Sequence, residues 1–318
     1  MKRILITGGT GLIGLEVCKR LVARGDELVL LVRNEASARR ALPVPAHFVA
    51  WSHENEVPAS ALEGVDAIIH LAGEPLADGR WTDAKKKKII DSRVLGTRRL
   101  VDAVLKARSS DDRLKVFVHG SAIGIYGDRG DSILDRSSEK GTGFLPDVVD
   151  AWEIEARRVV DASSPKPVRL AIVRTSVVLA AHGGALAKML PLFRRGLAGR
   201  LGFSGAQWMS WIHINDIARL FIHAVDSDRA VGILEGASPY PMTNREFTDV
   251  FCKELGVFQN VPVPEFALKL LYGEMASVIL ESQRVVATGT LESGFKFEYE
   301  KIDQALRHIL APLKESKS

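Results

Sequence analysis

Ile4-Leu5-Ile6-Thr7-Gly8-Gly9-Thr10-Gly11-Leu12-Ile13-Gly14 passes from a short apolar segment into glycines at positions 8, 11 and 14, and from there into an amphipathic stretch. G-x-x-G-x-x-G between a strand and a helix is the spacing of a phosphate-binding turn. Gly8 permits the tight turn, Gly11 lets backbone approach a pyrophosphate, and Gly14 lets the helix pack close to the strand. Thr10, Leu12 and Ile13 complete the loop. The first helical turn then offers unpaired N–H groups and a partial positive charge to the phosphates.

Outward from this loop, apolar segments recur at Arg3–Thr7, Glu27–Arg33, His47–Trp51, Val65–Ala72, Lys115–His119 and Arg169–Val178. Most are short continuous apolar runs, the mark of strands buried on both faces of a parallel sheet. Amphipathic stretches separate them at Leu12–Arg24, Lys85–Ala107 and Asp147–Ala162. Strand–helix alternation with short links predicts an α/β fold with a Rossmann-type, doubly wound parallel sheet. After about Leu179 glycines cluster between Gly183 and Gly205, and a strand–helix passage follows at Trp211–Val225. Helical patterns then fill Thr243–Leu255, Pro264–Tyr272, Met275–Val285 and Tyr299–Leu310. The expected division is a dinucleotide-binding domain over 1–180 and 206–238, with a smaller, mostly helical lobe over 181–205 and 239–318.

Composition narrows the class. Of 318 residues, 46% are hydrophobic and 26% charged, an ordinary globular mixture that excludes disorder. No apolar run approaches the ~20 residues that span a bilayer, and the N-terminus lacks the run of about 7–15 apolar residues a signal peptide needs. A cytoplasmic protein that binds no membrane is expected. The net charge is +4, yet Lys85–Lys88 is the only basic run, so nucleic acid is not an expected partner. Cys18 and Cys252 have no Cys or His at ligand spacing, and no H-E-x-x-H is present, so no metal site is expected and both thiols read as buried and reduced. The expected partner is an unidentified small molecule, bound by a monomer or homodimer.

The second strand selects the dinucleotide. NAD sites place an acid at its tip, whereas this chain has Leu31-Val32-Arg33-Asn34. An arginine there stacks on adenine and pairs with a 2′-phosphate through a charge-assisted bond of about 1.5–3 kcal/mol, so Arg33 reads as a selector of NADP(H). Glu74, following Leu71-Ala72-Gly73, falls at the carboxyl edge of the sheet, where open α/β sheets bind ligands.

The chain resembles the extended short-chain dehydrogenase/reductases of the NAD-dependent epimerase/dehydratase class. Ile69–Gly73 resembles the strand end beneath the adenine ribose and nicotinamide, Arg93–Thr97 the N-V-x-G-T helix motif with Arg for Asn, Ser121–Gly127 the S-S-x-x-V-Y-G strand end, and Trp211–Asp216 the F-V-H-V-D-D passage. L-A-G-E at 71–74, D-S-R at 91–93, W-E at 152–153, V-R-T-S-V-V-L at 173–179 and G-F-K-F at 294–297 together resemble an atypical epimerase-family subgroup. Its members are sometimes labelled SulA-like and carry a short C-terminal domain of unknown function. The resemblance implies contacts to the cofactor from Leu71, Ala72, Gly73, Val177, Lys87, Ser92 and Arg93. It also implies a substrate pocket at Gln207, Trp208, Trp211 and His213, closed by the glycine-rich stretch, where Arg194, Arg195 and Arg200 would suit an anionic substrate such as a nucleotide sugar.

The departure is catalytic. The wider family uses a Tyr-x-x-x-Lys pair, but four residues beyond Tyr126, Tyr240, Tyr272 and Tyr299 stand Gly130, Asn244, Ala276 and Asp303. Alignment on Trp152-Glu153 puts Asp147 and Ala151, or Val148 and Trp152, in the pair's places, and Ala122 stands where a catalytic Ser or Thr belongs. An enzyme would need another proton donor, with Ser121, Tyr126 and Asp147 the candidates. Two functions therefore stand open: an oxidoreductase or epimerase with a non-standard donor, and a protein that binds NADP(H) as a sensor or partner-docking module without catalysis.

Overall fold

The structure is a computed structural model that describes residues 1–108, 113–160, 167–197, 199–258 and 262–315. β1 (Arg3–Thr7), β2 (Glu27–Val32), β3 (His47–Ala50), β4 (Ala67–His70) and β5 (Val116–Ala122) join the strands Arg169–Thr175 and Gly232–Gly236 in one seven-stranded sheet. All its pairs are parallel, in the order Gly232–Gly236, Arg169–Thr175, β5, β4, β1, β2, β3. The order reverses between β1 and β4, so the crevice outside their carboxyl ends is where a ligand fits.

Alternation along each strand builds two cores. Ile4, Ile6, Leu28 and Leu30 turn to one face with Val17 and Leu21 of α1 (Leu12–Ala23) and Leu220 and Phe221 of α6 (Ile214–Asp226). Leu5, Val29, Leu31, Ile68 and Phe117 turn to the other with Leu100, Val101 and Val104 of α3 (Asp83–Ala107). Both cysteines are buried and free. Among the described residues no helix is long and apolar enough to cross a membrane.

The structure differs from the sequence pattern at several points. The last sheet strand, Gly232–Gly236, was not expected: it holds a buried Glu235 and only two large apolar residues. Arg169–Val178 breaks at Ser176, whose hydroxyl donates to the Gly236 carbonyl at 2.8 Å, and a separate strand Val177–Ala180 pairs with Trp211–His213. The glycine-rich stretch holds a helix, α5 (Gly184–Arg194). The expected Asp147–Ala162 helix is α4 (Phe144–Arg157), beginning a turn earlier, and Ala162 lies outside the described residues. The pattern at Met275–Val285 yields only a 3₁₀ turn and the single-turn helix Ser277–Leu280 before Glu281 turns extended. Tertiary bonds win there: Ser282 N–H donates to Asp128 at 3.1 Å, Gln283 N–H to the Trp208 carbonyl at 3.1 Å, and Arg284–Val285 pairs with Ile133–Leu134. A third core gathers α5, α7 (Asn244–Leu255) and the C-terminal helix Ile302–Glu315 around Trp211, Phe247 and Phe251.

Candidate functional site

The glycine turn is as tight as its spacing requires. Gly8 has φ +71, and a Cβ on it would stand 2.7 Å from the Leu71 carbonyl carbon; a Cβ on Gly14 would stand 2.2 Å from the Gly8 carbonyl oxygen. Gly11 is the N-cap of α1 with no side-chain cap, so the N–H groups of the first turn have no protein side chain to satisfy them. Thr10 and Gly11 are exposed, while Leu12 packs under Gly183 and Gly184. A phosphate group fits this cradle, with backbone donors supplied by Leu12, Ile13 and Gly14.

Thr7 fastens the cradle to the end of β4. Its hydroxyl oxygen accepts from the N–H groups of Leu71 and Ala72 at 3.2 and 3.1 Å and lies 2.6 Å from Nδ1 of buried His70. With both bonds from backbone accepted, the Thr7 proton goes to Nδ1, which leaves the His70 proton on Nε2, facing Thr97 Oγ1 at 2.9 Å. The Trp152 indole donates to that same oxygen at 2.8 Å, so a buried chain runs from the glycine loop to α4.

Charge converges at the ends of β2 and β4. Arg33 is exposed at the tip of β2. Lys85 Nζ donates to Glu74 at 2.8 Å, which lowers the Glu74 pKa, and the charges of Lys85, Arg33 and Lys88 lower it further. Ser92 Oγ accepts from the Glu74 N–H at 3.0 Å, and Arg93 donates to the Glu74 carbonyl at 3.0 Å with its guanidinium 5.1 Å from the Trp152 ring centroid. Arg93 also lies against Gly73, where a Cβ would meet its Cζ at 3.2 Å, and burial brings its pKa down to about 10. One expectation is corrected: Lys87 points outward, its side chain 74% exposed and paired with Asp91, while Lys85 at 13% is the lysine that turns in. Positions two apart on an α-helix point about 160° away from each other, so Lys85 and Lys87 cannot both face the groove. Val177 lies in the separate strand pair, opposite Trp211.

The proton-donor candidates are placed differently from expectation. Asp147 is 66% exposed and pairs with Lys140 at 2.8 Å, so it is a surface carboxylate and not a buried acid. Tyr126 is buried; its hydroxyl donates to the Asp135 carbonyl at 2.8 Å and accepts from Arg174 at 3.0 Å. Burial is the main cause that pushes its pKa up to about 12, against the pull of Arg174. Ser121 donates to Glu153 Oε1 at 2.7 Å, and Arg174 grips the same carboxylate through two bonds of 2.9 Å. These groups form a closed structural network. Nor does either register drawn from Trp152-Glu153 meet the end of β5: the face that does presents Leu145 against Gly124 and Val149 against Ile123, Ile125 and Tyr126.

Of the residues expected to line a substrate pocket, Trp211 and His213 are turned into the protein interior. Trp211 is fully buried in the third core. His213 caps α6 by accepting from the Asn215 N–H at 2.9 Å, stacks 3.9 Å from Tyr299 and meets His308 at 3.1 Å, a structural role. Trp208 donates to Asp131 at 2.8 Å beneath the Arg284 guanidinium, and Gln207 donates to the Leu201 carbonyl at 3.3 Å. Arg200 pairs with Asp249 at 3.0 Å, and Arg194 and Arg195 are exposed. A substrate-sized cleft of about 740 Å³ opens elsewhere, lined by none of these residues. One wall is Asp128 and the α4 start at Gly143–Pro146; the other is α8 (Glu265–Tyr272) and the turns that end at Glu281. Sequence reasoning missed this wall because a continuous helix was expected across Glu281.

Comparison with known proteins accords with this geometry. The family model described as "NAD dependent epimerase/dehydratase family" matches residues 4–234, and "Domain of unknown function (DUF1731)" matches 263–309. "Epimerase family protein SDR39U1 homolog, chloroplastic" of Arabidopsis thaliana is 35% identical over 314 residues, covering 96% of this chain and 86% of that protein. "Epimerase family protein SDR39U1" of Homo sapiens is 33% identical over 313 residues, covering 97% and 100%. The crystal structure of the human epimerase family protein SDR39U1 (isoform 2) with NADPH superposes with a TM-score of 0.85 at 30% identity, over 97% of this chain and 99% of that one. As its motifs led us to expect, and with relatives matching over nearly its whole length, the chain belongs to the NAD dependent epimerase/dehydratase family.

Proposed function

We propose that the protein is an NADP(H)-dependent oxidoreductase or epimerase acting on a small carbonyl or alcohol compound. The observation that carries this reading is the charge at the groove's adenosine end: Arg33, Lys85 and Lys88 gather around the single carboxylate of Glu74, leaving an excess of positive charge where a 2′-phosphate would rest. The human relative crystallised with NADPH supports it. Bound there, the cofactor supplies hydride exchange at nicotinamide C4. The chain's own residues bind and orient it: the glycine cradle holds the pyrophosphate, Thr7 fixes the Leu71–Ala72 edge, and Arg93 and Ser92 brace the Glu74 turn.

A second reading is a protein that binds NADP(H) without turnover, favoured by the apolar face that Leu145 and Val149 present in place of a Tyr–Lys pair. Calorimetric titration with NADPH and NADH, repeated on Arg33→Ala, tests the shared part. NADPH should bind more tightly than NADH, and the substitution should weaken NADPH about tenfold or more while leaving NADH unchanged. NADPH oxidation followed at 340 nm over a panel of aldehydes, ketones and quinones separates the readings. Equal affinity for the two dinucleotides in both proteins would sink the NADP(H) assignment.

A further inference from the structure

The cleft between the lobes has apolar walls at Trp81, Phe144, Leu145 and Leu280, and it opens beside the turn that follows β5, because Leu145 also packs on Gly124. Its carboxylates differ in what holds them. Glu274 pairs with Lys86, and Glu265 lies 3.9 Å from Lys269. Asp128 is fixed by the N–H groups of Ser282 and Gly130, at 3.1 and 3.3 Å. Glu281 is half-buried at the point where the helix stops, and among the described residues no hydrogen bond or ion pair holds its carboxyl.

We propose that Glu281 is the acid–base residue of this cleft, exchanging a proton with the oxygen of a substrate whose carbon exchanges hydride with NADP(H). The proposal rests on the oxidoreductase reading above. In the reducing direction the Glu281 O–H bond breaks and the substrate O–H bond forms, while hydride from the dihydronicotinamide reaches the carbonyl carbon. The products are an alcohol, NADP⁺ and the Glu281 carboxylate, and oxidation runs the same steps backwards. Among the described residues no cation pairs with Asp128 or Glu281, and Lys269, the lysine on the Glu281 wall, lies against Glu265, so this end of the cleft suits a neutral or cationic carbonyl compound.

Burial first, and the charge of Asp128 second, push the Glu281 pKa up to about 7, where both protonation states are available. The other charged groups around the cleft are Glu265 and Lys269 on α8, Glu274 on the turn with its partner Lys86, and Arg80, whose guanidinium lies against Gly273. The α4 start brings no charge, and the Arg129 guanidinium is turned to the Glu139 carbonyl.

The test is carbon NMR of the full chain labelled at the glutamate carboxyl, with Glu281→Gln used to assign the resonance. Glu281 should titrate near neutrality in the free protein. Its midpoint should fall by about one pH unit when NADP⁺ replaces NADPH, because the oxidised ring adds a positive charge close to the carboxyl. Asp128→Asn should also lower the midpoint. A midpoint in the ordinary carboxylate range, or one that is the same with both dinucleotides while both shift the Gly11 and Leu12 amides, overturns the proposal. Failure of either dinucleotide to move those amides overturns the oxidoreductase reading itself, and the proposal with it.

Discussion

Arg174 and Glu153 meet through two bonds of 2.9 Å with both side chains almost fully buried, one on the strand Arg169–Thr175 and the other on α4. Ser121 and Arg157 give the same carboxylate two further donors. Removing one member of such a buried pair leaves the other charge uncompensated. Glu153→Ala should therefore lower the unfolding free energy by about 3–5 kcal/mol in urea titrations, whereas Asp147→Ala at the exposed Lys140 pair should leave it unchanged within error.

Gly14→Ala places a methyl group 2.2 Å from the Gly8 carbonyl oxygen, and the nearest atoms are all backbone of Gly8 and Gly9, which cannot swing aside as a side chain would. The strand and helix must separate to admit it, at a cost of about 1–3 kcal/mol. The separation also spoils the cradle, so calorimetry should find NADPH affinity reduced by more than an order of magnitude.

Lys85 and Lys87 predict opposite outcomes. Lys85→Ala removes the cation that holds Glu74 at the groove and should weaken NADPH about tenfold. Lys87→Ala removes an exposed i,i+4 pair and should leave affinity within about twofold. Equal losses in the two variants would show that the helix is set differently against the groove.

Buried imidazoles set the acid limit of stability. Burial brings the pKa of His70 and of His213 down to about 3, and that of His119 well below its ordinary value. The unfolded chain takes a proton on each below about pH 6.5, while the folded chain keeps His70 and His213 neutral until about pH 3 and His119 neutral well below its ordinary range. Their contribution is thus complete above pH 6.5 and lost as pH falls through that window, by about 1.4 kcal/mol per pH unit for each imidazole. Urea unfolding at pH 7, 6 and 5 should show this slope, and His70→Gln should reduce it by one proton's worth.

The sheet and the glycine loop were legible because they depend on local pattern: unbroken apolar runs between turns, and glycines where only glycine fits. The side chains around the groove were legible by segment and not by direction. Lys85 and Lys87 share one basic run, and only the phase of α3 against the sheet decides which turns in. Trp211 and His213 looked like pocket residues from their motif, yet their strand is roofed by α7 and the C-terminal helix, which the motif does not encode. Glu281 gave no signal, since its position depends on Asp128 and Trp208 capturing the backbone just beyond it.

The Ser282 hydroxyl donates to the Gly130 carbonyl at 2.7 Å and accepts from the Trp208 N–H at 2.9 Å, drawing three distant segments to one edge of the cleft. This fixes an order of assembly during synthesis. The glycine cradle and its basic rim come from roughly the first third of the chain, whereas the cleft acquires its second wall only when residues 265–282 have emerged. A product that stops short of that stitch carries the glycine loop and its basic rim but lacks the wall that completes the cleft.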